Sequence, residues 1–157
     1  MTRVEEMLFL GSLKDADALA TSNPHGIRTV ITLCQEPVQY RRADVQYLQF
    51  PIDEVKTVDS EFLGNVLAGI KSAIEQGPTL CHCLLGVSRS PAVLAAYLRG
   101  TRFSSYDAAL RFLEGLRPCV DPGLTLLRGV KSALENLASG PQGRVKPAKS
   151  LPKRGEC

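Results

Sequence analysis

Long apolar runs are missing from this sequence. No stretch of about 18 or more consecutive apolar residues occurs, so neither a transmembrane helix nor membrane insertion is expected. Residues 1–6 carry charges and lack the apolar centre of a secretory signal. The five cysteines are an odd number, which does not suit a disulfide framework. No internal repeat is visible either, and together these absences predict a cytoplasmic protein whose thiols stay reduced.

The length and composition are those of one globular domain. The 157 residues are 44% apolar and 22% charged, enough to bury a core in a single domain over residues 1–138. The net charge of +3 is unevenly divided, because residues 139–157 hold five basic residues and one acidic residue. This basic segment has almost no apolar content and is predicted to be a disordered tail. Its charges are few and dispersed, so no nucleic-acid partner is predicted. A monomer is expected.

The apolar pattern alternates between strand and helix, which predicts an α/β fold. Asp59 and Ser60 are candidate caps for a helix that stops at Gly77. A Ser104–Asp107 capping box and an Asp121 cap are predicted for the last two helices. The predicted strands cover residues 7–12, 29–33, 45–52 and 79–82, and the predicted helices cover 14–20, 60–76, 91–98, 106–116 and 122–137.

The segment from Cys83 to Ser90 carries the most specific chemistry in the sequence. It joins a short apolar strand to a segment of helix formers, and five residues lie between Cys83 and Arg89. Such a junction aims successive backbone N–H groups at one point, where they can hold an oxyanion. Gly86 permits a backbone conformation closed to other residues, and Arg89 offers a planar fork for two phosphate oxygens. The predicted phosphate-binding residues are Leu84, Leu85, Gly86, Val87, Ser88 and Arg89, with Cys83 as a thiolate nucleophile.

The string His-Cys-x-x-Gly-x-Ser-Arg-Ser at 82–90 resembles the active-site loop of the dual-specificity phosphatases, a family of the cysteine-based protein tyrosine phosphatase superfamily. Residues 7–12, 26–33 and 88–98 and the Arg117-Pro118 pair are also similar to that family, so the resemblance covers about residues 4–137. It implies a mostly parallel central sheet flanked by helices. It also implies hydrolysis of phosphotyrosine and phosphoserine or phosphothreonine in proteins through a phosphocysteine, without metal or cofactor.

The resemblance further implies a general acid, an aspartate about thirty residues before the cysteine. Asp53 lies thirty residues before Cys83 and is the favoured candidate. Family members commonly read Pro-x-x-Asp, and counting from Pro51 places Glu54 at the acid position instead. Asp59 is a third candidate, although it also suits a helix cap.

Other roles follow from the same resemblance. Ser90 supplies a hydroxyl to the cysteine sulfur and helps it leave, and His82 orders the loop by hydrogen bonding. Cys34, at the end of a predicted strand, is a possible redox partner of Cys83, for which Cys81 and Cys119 are less suited. The family often has asparagine bonded to the phosphate loop where this chain has Gly123.

The residues of this loop also bear on alternative functions. A sulfurtransferase has a shorter cysteine-to-arginine spacing, and a binding module without activity usually lacks the cysteine or the arginine. A phosphopeptide-binding module with little activity and a phosphatase for a non-protein phosphomonoester both stay open. The loop has no lysine between Cys83 and Arg89, which argues against the phosphoinositide branch of the superfamily. Leu84 and Leu85 give it an apolar rim that suits a phosphopeptide.

Overall fold

A computed structural model of the protein describes residues 1–140. In that range the chain forms five strands and five helices. The strands are β1 (Thr2–Glu5), β2 (Leu8–Ser12), β3 (Thr29–Thr32), β4 (Gln46–Gln49) and β5 (Thr79–Cys83). The helices are α1 (Leu13–Ala18), α2 (Ser60–Gln76), α3 (Arg89–Thr101), α4 (Tyr106–Leu116) and α5 (Leu124–Ser139).

The strands form one sheet in the order β1-β2-β5-β3-β4. Strands β2, β5, β3 and β4 are parallel, and only β1 runs antiparallel, against β2. The predicted α/β fold with a mostly parallel sheet is therefore confirmed. Strand β1 was not predicted, because only Val4 of its four residues is buried and so short a strand shows no alternating pattern.

Alternate residues of each strand enter different apolar cores, as the two-residue period of a strand requires. Leu8, Leu10, Cys81 and Cys83 lie in the larger core, which helices α2 to α5 complete. Phe9 and Leu80, together with neighbours from β3 and the following loops, pack in a smaller core that includes residues of α1. Cys83 thus lies on the face of the sheet that helices α2 to α5 cover.

The helix boundaries follow local capping chemistry, with two corrections. Asp59 caps α2 as predicted, since its carboxylate accepts a hydrogen bond from the Phe62 amide at 2.9 Å. The predicted Ser104 cap of α4 is wrong, because the helix begins at Tyr106 and the hydroxyl of Ser105 accepts from the Ala108 amide. The predicted Asp121 cap of α5 is also wrong, since α5 begins at Leu124 and its N-cap is Gly123.

The parallel pairing brings three chain segments to one edge of the sheet. Strand β5 ends at Cys83 between β2 and β3, and the segment after β4 returns along the same edge, where the Ile52 amide donates to the Leu33 carbonyl at 3.1 Å. The carboxyl ends of parallel strands are the usual place for a ligand in such a sheet.

Helix α5 ends at Ser139. Residues 141–157 of the predicted tail lie outside the described residues. In the described range no helix is long and apolar enough to cross a membrane.

Candidate active site

Cys83 and Arg89 stand at the two ends of one tight loop. Cys83 is the last residue of β5, and Arg89 is the first residue of α3. The Cys83 side chain is 2% exposed. Ser88 makes no side-chain capping bond to α3 within the described part of the chain, so the first amides of this 13-residue helix are open to an anion from the loop side.

Gly86 occupies a backbone conformation that favours glycine. Its φ is +70°, and a Cβ there would lie 2.5 Å from the carbonyl oxygen of Gly11. Both the dihedral angle and the close approach exclude other residues at this position. The glycine that the sequence predicted for the loop is therefore confirmed on two independent grounds.

The sulfur of Cys83 collects hydrogen bonds from the loop that follows it. Burial by itself raises the pKa of this thiol. Hydrogen bonds from the Ser90 hydroxyl and from the backbone amides of Ser90, Gly86 and Ser88 outweigh it, so the pKa is lowered below 9.0. The Ser90 Oγ lies 3.2 Å from the Cys83 Sγ. A nucleophilic thiolate is thus stabilised by the same donors that can bind an oxyanion.

Arg89 has a buried donor available for a ligand. Its side chain is 13% exposed, and its Nε lies 3.4 Å from Oε1 of Glu54, which is 47% exposed. That contact is an ion pair without hydrogen-bond geometry, and the Nε has no hydrogen-bond partner among residues 1–140. A buried N–H without a partner is costly, so this arginine is suited to donate hydrogen bonds to phosphate oxygens.

The three candidate acids occupy different positions on the loop after β4. The carboxylate of Asp53 accepts from the Val55 amide at 3.1 Å and lies 3.1 Å from Lys56 Nζ. These contacts, and more weakly the charge of Arg89, lower the pKa of Asp53. Glu54 pairs with Arg89. Asp59 caps α2, so its carboxylate already has a structural role.

His82 forms hydrogen bonds through both of its ring nitrogens. It is fully buried, and this burial lowers its pKa, which favours the neutral ring. Nδ1 lies 3.2 Å from the Cys83 carbonyl and Nε2 lies 2.8 Å from the Thr32 hydroxyl. Because a carbonyl only accepts, Nδ1 donates and Nε2 accepts from Thr32. Thr32 was not predicted, since nothing in its local sequence shows that β3 pairs beside β5.

Arg117 is the second residue that sequence reasoning left without a role. Its Nε donates to the Gly86 carbonyl and its Nη2 to the Leu85 carbonyl, both at 3.1 Å. The Arg117-Pro118 pair was a visible signal, but its partners lie more than thirty residues away in the sequence.

Cys34 lies behind the loop in the same core cluster as Cys83. Burial, followed by a hydrogen bond to the Glu36 side chain and the negative charge of Glu36, raises the pKa of Cys34 to about 11. Cys81 is buried and its pKa is also raised by burial, whereas Cys119 is exposed. No group of three or more metal-ligating side chains occurs within the described range.

The loop from Cys83 to Arg89 lies within the range that a family model matches. A sequence model with the description "Dual specificity phosphatase, catalytic domain" matches residues 8–134. The chain belongs to the dual specificity phosphatase family. The match spans strands β2 to β5, the loop from Cys83 to Arg89 and α5 as far as Leu134.

Individual members of the dual specificity phosphatase family are distant in sequence and close in fold. Dual specificity protein phosphatase 18 of Mus musculus is 30% identical over 124 residues, which are 78% of this chain and 66% of that protein. A probable dual specificity protein phosphatase of Dictyostelium discoideum is 25% identical over 73% of this chain, and only 54% of its own length is spanned. The crystal structure of human DUSP28 has a TM-score of 0.75 at 26% identity, covering 88% of this chain and 99% of that one.

Proposed function

We propose that the protein is a cysteine-dependent phosphoprotein phosphatase that hydrolyses phosphotyrosine and phosphoserine or phosphothreonine through a phosphocysteine. The observation that carries this proposal is the lowered pKa of Cys83 within a ring of amide donors, next to the unpartnered Nε of Arg89. A sulfur nucleophile would need only the lowered pKa, and an anion-binding site would need only the free donor. A cysteine-dependent phosphatase needs both.

The first step is attack of the Cys83 thiolate on phosphorus. A P–S bond forms while the bond from phosphorus to the ester oxygen breaks. The departing phenolate or alkoxide takes a proton from a carboxylic acid of the loop after β4. Arg89 and the loop amides bind the equatorial phosphate oxygens, where negative charge is spread in the transition state. To do so, Arg89 exchanges its contact with Glu54 for the substrate.

The second step regenerates the thiolate. Water attacks the phosphocysteine, the P–S bond breaks, and the carboxylate formed in the first step accepts the proton of the water. Ser90 donates to the sulfur at 3.2 Å, which stabilises the thiolate as it leaves. The products are inorganic phosphate and the starting enzyme, so neither metal nor cofactor is needed.

The rim of the loop favours a peptide over a highly charged small molecule. Leu84 and Leu85 are 38% and 66% exposed, and Val55 on the acid-bearing loop is 79% exposed. Apolar side chains of this kind suit the ring of a phosphotyrosine and the flanking residues of a peptide.

The decisive experiment compares wild type with Cys83→Ser on p-nitrophenyl phosphate, then on phosphotyrosine and phosphothreonine peptides. Wild type is expected to hydrolyse all three, and Cys83→Ser is expected to be inactive. Cys119→Ser is the matched control, because it removes an exposed cysteine. Activity that survives in Cys83→Ser would contradict the proposal. Phosphopeptide binding by wild type without turnover would support the binding-module alternative.

Substrate identity is accessible by trapping. Asp53→Ala and Cys83→Ser variants are expected to retain phosphoproteins from a cell extract, and vanadate is expected to release them because it competes for the loop. A soluble phosphoinositide headgroup hydrolysed faster than every phosphopeptide would instead support a non-protein substrate.

A further inference from the structure

Four successive carbonyl groups of the phosphate-binding loop accept hydrogen bonds from outside the loop. The Leu84 carbonyl accepts from the Leu13 amide at 3.1 Å, and the Val87 carbonyl accepts from the Asp121 amide at 2.9 Å. The two carbonyls between them accept from one side chain, that of Arg117. The outer side of the loop is therefore fully occupied, and a single guanidinium supplies half of its bonds.

Because the peptide bond is planar, the hydrogen bonds on the outer side of the loop also fix the direction of amides on its inner side. In a trans peptide the carbonyl of one residue and the amide of the next point in opposite directions. Bonds to the Leu85 and Gly86 carbonyls therefore turn the amides of Gly86 and Val87 toward the inside of the loop. The Gly86 amide is one of the donors that bond the sulfur of Cys83.

We propose that Arg117 is a positioning residue of this site, whose guanidinium fixes the two peptide planes that aim the Gly86 and Val87 amides at the sulfur and the phosphate. The inference rests on the proposed function. A planar fork matches two neighbouring carbonyls, whereas an ammonium group offers no such pair of fixed directions. The remaining Nη1 lies 3.4 Å from the Thr2 hydroxyl, which ties the guanidinium to β1.

Gly123 leaves the loop without one bond that the family resemblance implies. The family resemblance places an asparagine there that bonds the phosphate loop, and Gly123 has no side chain to do so. In this chain the carbonyls of the loop are bonded by Arg117 and by the backbone amides of Leu13 and Asp121. The carbonyls of residues 84–87 are therefore hydrogen-bonded without that asparagine.

The test measures the reactivity of Cys83 rather than turnover. Iodoacetamide alkylation of Cys83 is followed by mass spectrometry from pH 5 to pH 10 in wild type, Arg117→Lys and Arg117→Gln. At pH 6 both variants are expected to react on the order of tenfold more slowly than wild type. A misaligned amide no longer donates to the Cys83 thiolate, so a smaller fraction of Cys83 is ionised. At the alkaline end the three rates are expected to converge. Phosphatase kcat/KM is also expected to be lower in both Arg117 variants than in wild type.

Arg111→Gln is the matched control, since it removes an exposed arginine from α4, the helix that Arg117 follows. Cys34 and Cys81 are buried, so their protection from alkylation shows that each variant is folded during the assay. A folded Arg117→Lys with the wild-type pH profile would overturn the proposal, because charge alone would then suffice.

The experiment separates this inference from the proposed function. If wild type hydrolyses no phosphoester but the alkylation profiles differ as expected, the function is wrong and the positioning role stands. If wild type is an active phosphatase and Arg117→Lys keeps the wild-type profile, the positioning role is wrong and the function stands.

Discussion

At the scale of single residues, the site depends on opposing influences on the sulfur of Cys83. Burial favours the neutral thiol, and hydrogen bonds from Ser90 and from three backbone amides favour the thiolate. The second influence is larger, so the folded pKa lies below 9.0. The thiolate is consequently lost only as the pH falls through this lowered pKa, so activity should extend to lower pH than the ordinary pKa of a cysteine would allow.

Ser90→Ala tests this balance. Removal of the hydroxyl that lies 3.2 Å from the sulfur is expected to raise the pKa of Cys83, so the acidic limb of kcat/KM should move to higher pH. Departure of the sulfur in the second step should also slow, which produces a burst of p-nitrophenol before the steady state. Stopped-flow measurements over pH check both effects. An unmoved acidic limb together with a linear time course would contradict the assigned role.

The identity of the acid is a second prediction at the residue scale. Asp53→Asn is expected to slow turnover of phosphopeptides about a hundredfold or more, with far less effect on p-nitrophenyl phosphate, whose leaving group hardly needs a proton. The lowered pKa of free Asp53 requires that the bound dianion raise it, as like charges do. Steady-state kinetics on the two substrates check this.

Glu54→Gln is the matched variant for that experiment. It removes the partner of Arg89 and is expected to lower KM without any dependence on the leaving group. If Glu54→Gln shows the leaving-group dependence and Asp53→Asn does not, then Glu54 is the general acid, as the spacing from Pro51 indicates.

At the scale of secondary structure elements, Asp59 belongs to helix α2. Asp59→Ala removes the acceptor of the Phe62 amide and is expected to lower the free energy of unfolding by about 1 kcal/mol. Asp59→Ser keeps a capping oxygen and should stay near wild type. Urea denaturation measures both variants. A dependence of Asp59→Ala activity on the leaving group would show that this residue is an acid after all.

Strands β3 and β5 bring Cys34 near Cys83 and supply a redox prediction. Thr32 pairs with His82 in the parallel register, so the chain after β3 lies beside the chain after β5. A nearby thiol rescues a sulfenic acid from over-oxidation. Because the pKa of Cys34 is raised to about 11, little of it is thiolate at neutral pH, and disulfide formation is expected to be faster in alkaline solution.

The measurement is recovery of activity after peroxide and then dithiothreitol. Wild type is expected to recover, and Cys34→Ser is expected to remain largely inactivated. Cys119→Ser is the control for loss of an exposed thiol. Equal recovery of wild type and Cys34→Ser would show that Cys34 is only a buried apolar residue.

At the scale of the whole molecule, the candidate functional groups lie at one edge of the sheet, while helices α2 to α5 bury one face and α1 packs on the other. Cys83 from β5, Arg89 from α3, Arg117 beyond α4 and the segment after β4 all meet there. The chemistry is thus built from protein side chains and backbone donors, which determines how the enzyme should respond to inhibitors.

The expected response is activity that persists in EDTA and disappears with vanadate, which mimics five-coordinate phosphorus. Arg89→Lys should be nearly inactive, because an ammonium cannot reproduce a bidentate grip. Steady-state assays on p-nitrophenyl phosphate check all three. Loss of activity in EDTA that a divalent ion restores would contradict the thiolate mechanism.

Features of this protein that are local along the chain follow from its amino-acid sequence alone. The spacing from Cys83 to Arg89, the glycine at 86 and the cap at Asp59 each depend on a few consecutive residues, and each appears as predicted in the backbone. The alternation of strands and helices was equally local, so the fold class followed from it.

The tertiary structure decided which distant residues complete the site. The bonds of Arg117 to the loop, of Thr32 to His82 and of the Asp121 amide to Val87 join residues 31 to 50 positions apart. No local pattern encodes such a contact, because it depends on the order of strands in the sheet and on where α4 ends. The two corrected helix caps have the same cause, since a cap is defined only once packing has set the first turn of the helix.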